Sequence, residues 1–227
     1  MVEYSVPPLI TSVPVLDGKP FCVRRIFCVG RNYADHAREM GADPNREPPF
    51  FFTKPADAIV QNKGVVPYPP ATSNLHHEVE LVVALASGGK NISIEDANDH
   101  IFGYAVGLDM TRRDLQSAAK DKGHPWDMAK GFDHSAPISP ITRIALTDVL
   151  SSGPIQLSVN GSIRQKGDLS DMIWSIPEVI SYLSGLVEVA AGDLIYTGTP
   201  SGVAAVVKGD ILEARAPGLT PLTVTIG

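Results

Sequence analysis

The sequence has few cysteines, no long apolar run and no surplus of positive charge. Its two cysteines, Cys22 and Cys28, fit neither a CxxC redox pair nor a zinc-binding pattern, and we expect two core thiols in a reducing compartment. No apolar run approaches the roughly 20 residues that a membrane-spanning helix needs. The first residues also lack the basic and apolar regions of a secretory signal. These absences predict a soluble, cytoplasmic protein without a membrane partner.

The charge balance and the missing motifs exclude further classes of function. A formal net charge of −6 argues against nucleic acid as the main partner. It leaves an anionic small molecule open, because local arginines and lysines can dominate a pocket. The sequence contains no Gly-x-Ser-x-Gly elbow, no Gly-x-Gly-x-x-Gly run and no Walker motif. Neither a serine hydrolase nor nucleotide-cofactor chemistry is therefore indicated.

The composition favours one strand-rich α+β domain. The 20 glycines and 19 prolines predict many turns, and Asn160-Gly161 between two β-like runs predicts a hairpin with a type I′ turn. Ser93-x-x-Asp96 is a helix-start pattern, and the helix is expected to run to about Ile101. With no repeat or linker in sight, we expect a single catalytic domain over 1–227, with an N-terminal extension at 1–24 and the core at 25–227.

The most informative stretch is Glu78-Val79-Glu80 and the apolar run that follows it to Leu85. It predicts a buried strand, on which the two glutamates share one face about 7 Å apart by the strand rise. Two carboxylates entering a core repel each other and lose hydration unless a cation lies between them. Oxygen ligands suit Mg²⁺, Ca²⁺ or Mn²⁺. An edge strand with two solvated glutamates explains the stretch equally well. The stretch alone therefore does not decide between a metal site and a solvated edge strand.

A third carboxylate, Asp109, ends a second strand-like run and turns directly into a helix-start pattern. Three oxygen donors describe an Mg²⁺ or Mn²⁺ site better than a zinc site. The neighbouring His76 and His77 point to opposite faces of a strand, so at most His76 faces the glutamates. We expect structural hydrogen bonds from both histidines rather than metal ligation.

Proton chemistry and anion binding have candidates elsewhere in the chain. His36 and Glu39 share one face of a short predicted helix and could form a general-base pair, although a solvated surface pair fits the spacing equally well. Arg113 and Gln116 share a face of the helix predicted from Thr111 to Gly123, and Lys130 follows that helix. These three donors suit an anion or an oxyanion, while each alone is also typical of a solvated surface.

Taken together, these segments resemble the fumarylacetoacetate hydrolase family, especially its short acylpyruvase and fumarylpyruvate hydrolase branch. The resemblance runs from about Arg25 to Asp210. Its markers in the sequence are Val29-Gly30-Arg31-Asn32-Tyr33, Leu75-His76-His77-Glu78-Val79-Glu80, the run from Gly103-Tyr104 to Leu108-Asp109-Met110-Thr111, and Tyr196-Thr197-Gly198-Thr199-Pro200-Ser201-Gly202-Val203. One departure is Gly202-Val203-Ala204-Ala205, where relatives commonly have Gly-Val-Gly-Pro.

The resemblance implies a mixed β-sandwich or roll with peripheral short helices, usually a homodimer. It implies Mg²⁺ or Mn²⁺ held by Glu78, Glu80 and Asp109, and water activated by His36 with Glu39. Lys130 is then catalytic as well. The residues implied to bind substrate are Arg31, Lys54, Arg113, Gln116 and Thr199.

The implied substrate is a small anionic 2,4-diketo acid, with fumarylpyruvate the best single candidate. The implied reaction is metal-dependent hydrolysis of its C–C bond to pyruvate and a carboxylic acid. Segments 32–40 and 42–49 are expected to act as a lid. The alternatives on the same site are oxaloacetate decarboxylation, and isomerisation or decarboxylation of 2-hydroxyhepta-2,4-diene-1,7-dioate. A non-enzymatic protein that holds a metal is the remaining alternative.

Overall fold

A computed structural model describes residues 10–34 and 47–227. The fold is built mainly from two mixed β-sheets, accompanied by two small two-stranded sheets and short helices. In chain order the strands are β1 (Ser12–Val13), β2 (Phe21–Cys22), β3 (Arg25–Gly30), β4 (Phe50–Lys54), β5 (Ile59–Gln61), β6 (Val65–Val66), β7 (Leu75–His76), β8 (Val79–Leu85), β9 (Ile101–Leu108), β10 (Thr111–Arg112), β11 (Ala136–Ile138), β12 (Thr142–Arg143), β13 (Pro154–Val159), β14 (Ser162–Asp168), β15 (Asp193–Tyr196), β16 (Ile211–Arg215) and β17 (Leu222–Ile226). The described helices are α1 (Arg113–Asp121), α2 (Asp127–Lys130) and α3 (Ile176–Leu186).

The larger sheet has the order β4-β3-β15-β8-β9-β11-β5, with β12 also paired to β9. Strand β15 runs parallel to β3, and β11 runs parallel to β5, whereas the other pairs in this sheet are antiparallel. The second sheet has the order β14-β13-β16-β17-β6 and is antiparallel except between β17 and β6. The predicted α+β fold with a mixed sandwich is confirmed.

Strand β8 is buried along its whole length because both faces of the larger sheet are covered. Its odd-numbered residues, such as Leu81 and Val83, join the main core between the two sheets, together with Leu157 from β13. Its even-numbered residues, such as Val82, join a second core on the opposite face. Glu80 shares the even-numbered face, so its carboxylate lies away from the main core.

The N-terminal hairpin of β1 and β2 covers part of that second core through Val13, Val15 and Phe21. Alternation along the two-residue strand β2 turns Phe21 inward and Cys22 outward. Cys22 is exposed and Cys28 is buried, so the expectation of two core thiols is wrong for Cys22.

Local sequence signals succeed at the hairpin of β13 and β14. Asn160 and Gly161 have φ values of 51° and 78°, as a type I′ turn requires, and the predicted hairpin is confirmed. The predicted helix from Ser93 to Ile101 is wrong, because the segment forms turns and a 3₁₀ helix at Ala97–His100 before β9 begins.

The error at Ser93 has a physical cause. Its hydroxyl accepts a hydrogen bond from the N–H of Asp96 at 3.2 Å, so the capping contact is present. The residues that follow are mostly polar and carry no apolar stripe that packing could hold as a longer helix. Within the described part of the chain, no helix is long and apolar enough to cross a membrane. Most of the short predicted helix that carries His36 and Glu39, and most of the expected lid, lie outside the described residues.

Candidate active site

Three carboxylates meet where β8 begins and β9 ends. The strands are antiparallel, with Val79 paired to Leu108, and the N–H of Asp109 donates to the carbonyl of Glu78 at 2.9 Å. The start of one strand therefore lies beside the end of the other, which brings Glu78, Glu80 and Asp109 together. One oxygen from each carboxylate lies within 4.8 Å of the other two, and all three residues are buried.

Two of these carboxylates are paired with buried cations. Glu78 contacts Nη2 of Arg113 at 2.5 Å and Nζ of Lys130 at 2.8 Å. Asp109 contacts Nζ of Lys130 at 2.6 Å and Nζ of Lys54 at 2.8 Å. The ion pairs of the cluster therefore reach Glu78 and Asp109.

Glu80 has a different environment. Its Oε2 accepts a hydrogen bond from the N–H of Gly198 at 2.8 Å, and no ion pair between described residues reaches it. Burial and the charges of Asp109 and Glu78 raise the pKa of Glu80 well above its ordinary value. Ionised Glu80 thus lacks a cationic partner in the described part of the chain.

This donor set fits a hard divalent cation. The ligand atoms are carboxylate oxygens, which suit Mg²⁺ or Mn²⁺, and a cation would compensate the charge of Glu80. The histidines are engaged elsewhere, as their sequence positions predict. His76 lies 2.9 Å from Oδ1 of Asn74 through Nε2, and His77 lies 2.8 Å from Oε1 of Gln165 through Nδ1.

Lys130 is held among the carboxylates by the short helix α2. Its buried ammonium donates to Glu78, to Asp109 and to the hydroxyl of Thr111, the last at 2.6 Å. Burial lowers the pKa of Lys130, but the charges of Asp109 and Glu78 outweigh burial, and the pKa lies above its ordinary value. Lys130 therefore remains protonated.

Lys54, at the end of β4, lies behind Asp109. Its ammonium donates to the carbonyl of Met110 at 3.1 Å and to the carbonyl of Lys130 in a short hydrogen bond. Its side chain is fully buried and does not line the cavity described below. These contacts are those of a residue that positions Asp109 and Lys130, and they differ from the substrate contact predicted for Lys54.

Arg113 and Gln116 share one face of α1, as the sequence predicts, because they are three residues apart on a helix. Nη1 of Arg113 donates to Oε1 of Gln116 at 2.5 Å. A guanidinium has no acceptor, so Oε1 of Gln116 must face it. The Nε2 amide hydrogens of Gln116 are then the donors that this residue offers to the cavity.

A cavity of about 290 Å³ opens above the carboxylates. This size suits a small organic acid. Of the residues predicted for the site, those that line the cavity are Arg31, Glu78, Glu80, Asp109, Arg113, Gln116, Lys130 and Thr199. Other residues that line the cavity were not predicted for the site from the sequence, and they include Phe52, Ser117, Lys120, Asp121 and Trp126. His36 and Glu39 lie outside the described residues.

Arg31 enters the cavity from a strained backbone. Its φ of 58° lies in the left-handed region, which a residue with a side chain rarely occupies, and such strain is frequent at functional sites. Its guanidinium lies 5.8 Å from the centre of the Phe50 ring. The preceding Gly30 has no room for a side chain, because a Cβ there would lie 2.0 Å from a Phe50 ring atom.

The turn after β15 supplies Thr199. Gly198 has a φ of 98°, and a Cβ at this position would lie 2.7 Å from the Cβ of Asn32. Only glycine fits both conditions. The turn thereby places the N–H of Gly198 on Glu80 and the hydroxyl of Thr199 beside the cavity.

The cavity in this mixed β-sandwich combines three buried carboxylates, which suit a cation, with a lysine and an arginine, which suit an anion. Residues 25–227 match the family model described as fumarylacetoacetate (FAA) hydrolase C-terminal. The chain belongs to the fumarylacetoacetate hydrolase family, which confirms the resemblance seen in the sequence.

Individual relatives have different described activities. The crystal structure of fumarylpyruvate hydrolase from Pseudomonas aeruginosa in complex with Mn²⁺ and pyruvate superposes with a TM-score of 0.96 at 47% identity, covering 99% of this chain and 98% of that one. A fumarylpyruvate hydrolase from Ralstonia sp is 44% identical over 82% of this chain and 96% of its own length. The mitochondrial oxaloacetate tautomerase of Rattus norvegicus is 45% identical over 88% of this chain and 90% of its own length.

Proposed function

We propose that this protein hydrolyses a C–C bond of a 2,4-diketo acid, with fumarylpyruvate the best candidate. Water and fumarylpyruvate would give fumarate and pyruvate. The observation that carries the proposal is the contact of the Lys130 ammonium with both Glu78 and Asp109, beside Arg113 and Gln116 in one cavity. Such a cavity combines a site for a cation with donors for developing negative charge.

Glu78, Glu80 and Asp109 are the residues that would hold Mg²⁺ or Mn²⁺. A divalent cation bound there supplies Lewis-acid stabilisation of negative charge on the oxygens of the diketo acid. Support comes from the three buried carboxylates, of which Glu80 has no ion pair with a described residue, and from the Pseudomonas relative, which binds Mn²⁺ and pyruvate.

The residues of the chain have separable roles in the proposed reaction. His36, oriented by Glu39, takes a proton from water, and the oxygen of that water forms a bond to the C4 carbonyl carbon. The resulting oxyanion accepts hydrogen bonds from the Nε2 amide of Gln116 and from Arg113 or Lys130. The C3–C4 bond then breaks, its electron pair passes to the pyruvate enolate, and a proton added at C3 completes pyruvate. Arg31 and Thr199 bind the substrate from the cavity wall.

A second candidate function uses the same cavity for a different reaction. The rat relative is described as an oxaloacetate tautomerase, and its identity to this chain is close to that of the Ralstonia fumarylpyruvate hydrolase. Decarboxylation of oxaloacetate needs no activated water, so the pair His36 and Glu39 favours hydrolysis over decarboxylation. Tautomerisation moves a proton between carbon and oxygen, which the same pair could catalyse, so an activity measurement has to separate it from hydrolysis.

A substrate panel separates the two candidates. Fumarylpyruvate, acetylpyruvate and oxaloacetate would each be incubated with the Mn²⁺-loaded protein. Pyruvate, carbon dioxide and the rate of enol–keto interconversion of oxaloacetate would be measured. Hydrolysis predicts pyruvate from the diketo acids with no carbon dioxide. Turnover confined to oxaloacetate would contradict the proposal, and turnover of none, with Mn²⁺ bound, would favour a non-enzymatic metal-binding protein.

A further inference from the structure

Gln165 on β14 joins the carboxylate strand to the turn that carries Thr199. Its side chain is fully buried, and its oxygen lies 3.0 Å from the N–H of Val79 and 2.8 Å from Nδ1 of His77. Its nitrogen donates to Oγ1 of Thr199 and to the carbonyl of Pro200, both at 2.8 Å. An amide offers two acceptor positions and two donor hydrogens, so every hydrogen-bonding position of Gln165 is used.

The orientation of this amide is forced by the backbone at both ends. The N–H of Val79 can only donate, so the oxygen of Gln165 must lie on that side. The carbonyl of Pro200 can only accept, so the nitrogen of Gln165 must lie on the other side. The oxygen then also fixes the tautomer of His77, whose proton must be on Nδ1 to make the 2.8 Å contact.

The orientation of the Gln165 amide also determines the hydrogen-bonding role of the Thr199 hydroxyl. Because Oγ1 of Thr199 accepts a hydrogen from Gln165, the hydroxyl hydrogen of Thr199 must point elsewhere. No acceptor for it is found among residues 10–34 and 47–227, and Thr199 lines the cavity above the carboxylates. An acceptor on a bound acid is the partner that this hydroxyl lacks.

We infer that Gln165 is a positioning residue that turns the Thr199 hydroxyl into a hydrogen-bond donor for the carboxylate of the substrate. The inference rests on the proposed function for the identity of that acid. It also links the substrate to the metal ligands, because Val79, held by the same amide, lies between Glu78 and Glu80.

The isosteric change Gln165→Glu tests this polarity. A carboxylate offers no hydrogen, and a protonated carboxyl offers one, which the carbonyl of Pro200 takes up. In either protonation state the Thr199 hydroxyl has to donate to the new carboxyl oxygen, so its hydrogen leaves the cavity. Thr199→Val removes the same hydrogen directly, whereas Thr199→Ser keeps it.

The probe is pyruvate, titrated calorimetrically into the Mn²⁺-loaded protein. Gln165→Glu and Thr199→Val should each weaken pyruvate binding roughly 10- to 100-fold, the range for losing a hydrogen bond to a charged group. The double variant should bind pyruvate no more weakly than the weaker-binding single variant, and Thr199→Ser should bind pyruvate nearly as the wild type does.

Two controls exclude indirect effects. Gln156→Glu, which adds the same charge on the neighbouring strand β13, should leave pyruvate affinity unchanged. The Mn²⁺ affinity of Thr199→Val should also stay within about twofold of wild type, a readout that general damage to the site would change.

Several outcomes would overturn the inference. It falls if wild type does not bind pyruvate, if Thr199→Val binds pyruvate like wild type, or if the two single effects add in the double variant. If Gln165→Glu fails to fold, ¹⁵N NMR of the Mg²⁺-loaded wild type decides, since a proton on Nε2 of His77 contradicts the inferred amide orientation and a proton on Nδ1 supports it. Failure of the proposed function is distinguishable, because pyruvate affinity can follow the expected pattern in a protein that hydrolyses no diketo acid.

Discussion

The backbone N–H of Gly198 donates a hydrogen bond to Oε2 of Glu80 at 2.8 Å. Ion pairs between described residues reach Glu78 and Asp109 but not Glu80, so this hydrogen bond is what fixes the Glu80 carboxylate. Glycine is required for this contact, because the φ of 98° and the approach of Asn32 exclude a side chain. The turn after β15 thus holds Glu80 beside the cavity, without an ion-pair partner among the described residues.

Glu80→Gln should therefore weaken Mn²⁺ binding at least about 100-fold, because changes even in residues that only support metal ligands reduce affinity 10- to 100-fold. The variant should fold at least as well as the metal-free wild type, since a buried carboxylate without a cationic partner is replaced by a neutral amide of the same shape. Calorimetry measures the Mn²⁺ affinity and thermal unfolding measures stability. Unchanged Mn²⁺ affinity would contradict the assignment of Glu80 as a metal ligand.

Lys54→Met should lower the free energy of unfolding by about 3–5 kcal/mol, because it leaves the buried carboxylate of Asp109 without one of its cations. Lys90→Met is the matched control. Lys90 pairs with Glu188 at 3.4 Å, but the two side chains are 67% and 65% exposed, so its loss should change stability by less than about 1 kcal/mol. Urea unfolding of the two variants measures both quantities, and equal effects would contradict a positioning role for Lys54.

His36→Ala tests a residue outside the described part of the chain. If His36 activates water, the variant should lose diketo-acid hydrolysis by about 10²–10⁴-fold while Mn²⁺ affinity stays near that of wild type. Pyruvate release and Mn²⁺ calorimetry on the same preparation measure the two effects. Loss of both to the same extent would mean that His36 has a structural role.

Asp114 should make stability depend on pH. Partial burial raises the pKa of Asp114, but hydrogen bonds from Thr72, Ser73 and Leu115 outweigh burial, and the pKa lies below its ordinary value of 3.8. A depressed folded-state pKa stabilises the protein above the unfolded-state pKa, and this contribution is lost as the pH falls through the folded-state pKa. Asp114→Asn should therefore cost only about 1 kcal/mol at pH 6, since Asp114 is half-buried and solvent screens part of its charge.

The same difference should narrow steadily in urea unfolding experiments carried out below pH 3.8. A stability gap between wild type and Asp114→Asn that stayed constant from pH 6 to pH 3 would show that the charge of Asp114 plays no part.

The parts of the fold that sequence reading predicted are those that local signals determine. Asn160-Gly161 specifies its hairpin through backbone conformation alone, and the apolar run after Glu80 specifies a buried strand. The meeting of Glu80 with Asp109 was implied by the family resemblance, since one acid on a strand and another at a strand end do not by themselves determine that the two lie together. At Ser93 the local signal was present and the helix was not, because no apolar face held the polar segment that follows.

Residues whose roles depend on distant partners were missed. Gln165 gives no signal in the sequence, since its hydrogen bonds reach residues 34 to 88 positions away along the chain. Lys54 was expected at the substrate, but only the packing of β4 behind Asp109 shows that it supports the site from outside the cavity. Such long-range contacts are set by topology, which single segments do not encode.

The central claim is that hydrolysis depends on one divalent cation held by Glu78, Glu80 and Asp109. Its most direct test is pyruvate release from fumarylpyruvate by metal-stripped protein titrated with Mn²⁺. We predict almost no release without metal and a rise that saturates near one Mn²⁺ per chain. Full activity in the stripped protein, or bound Mn²⁺ with no pyruvate released, would contradict the claim.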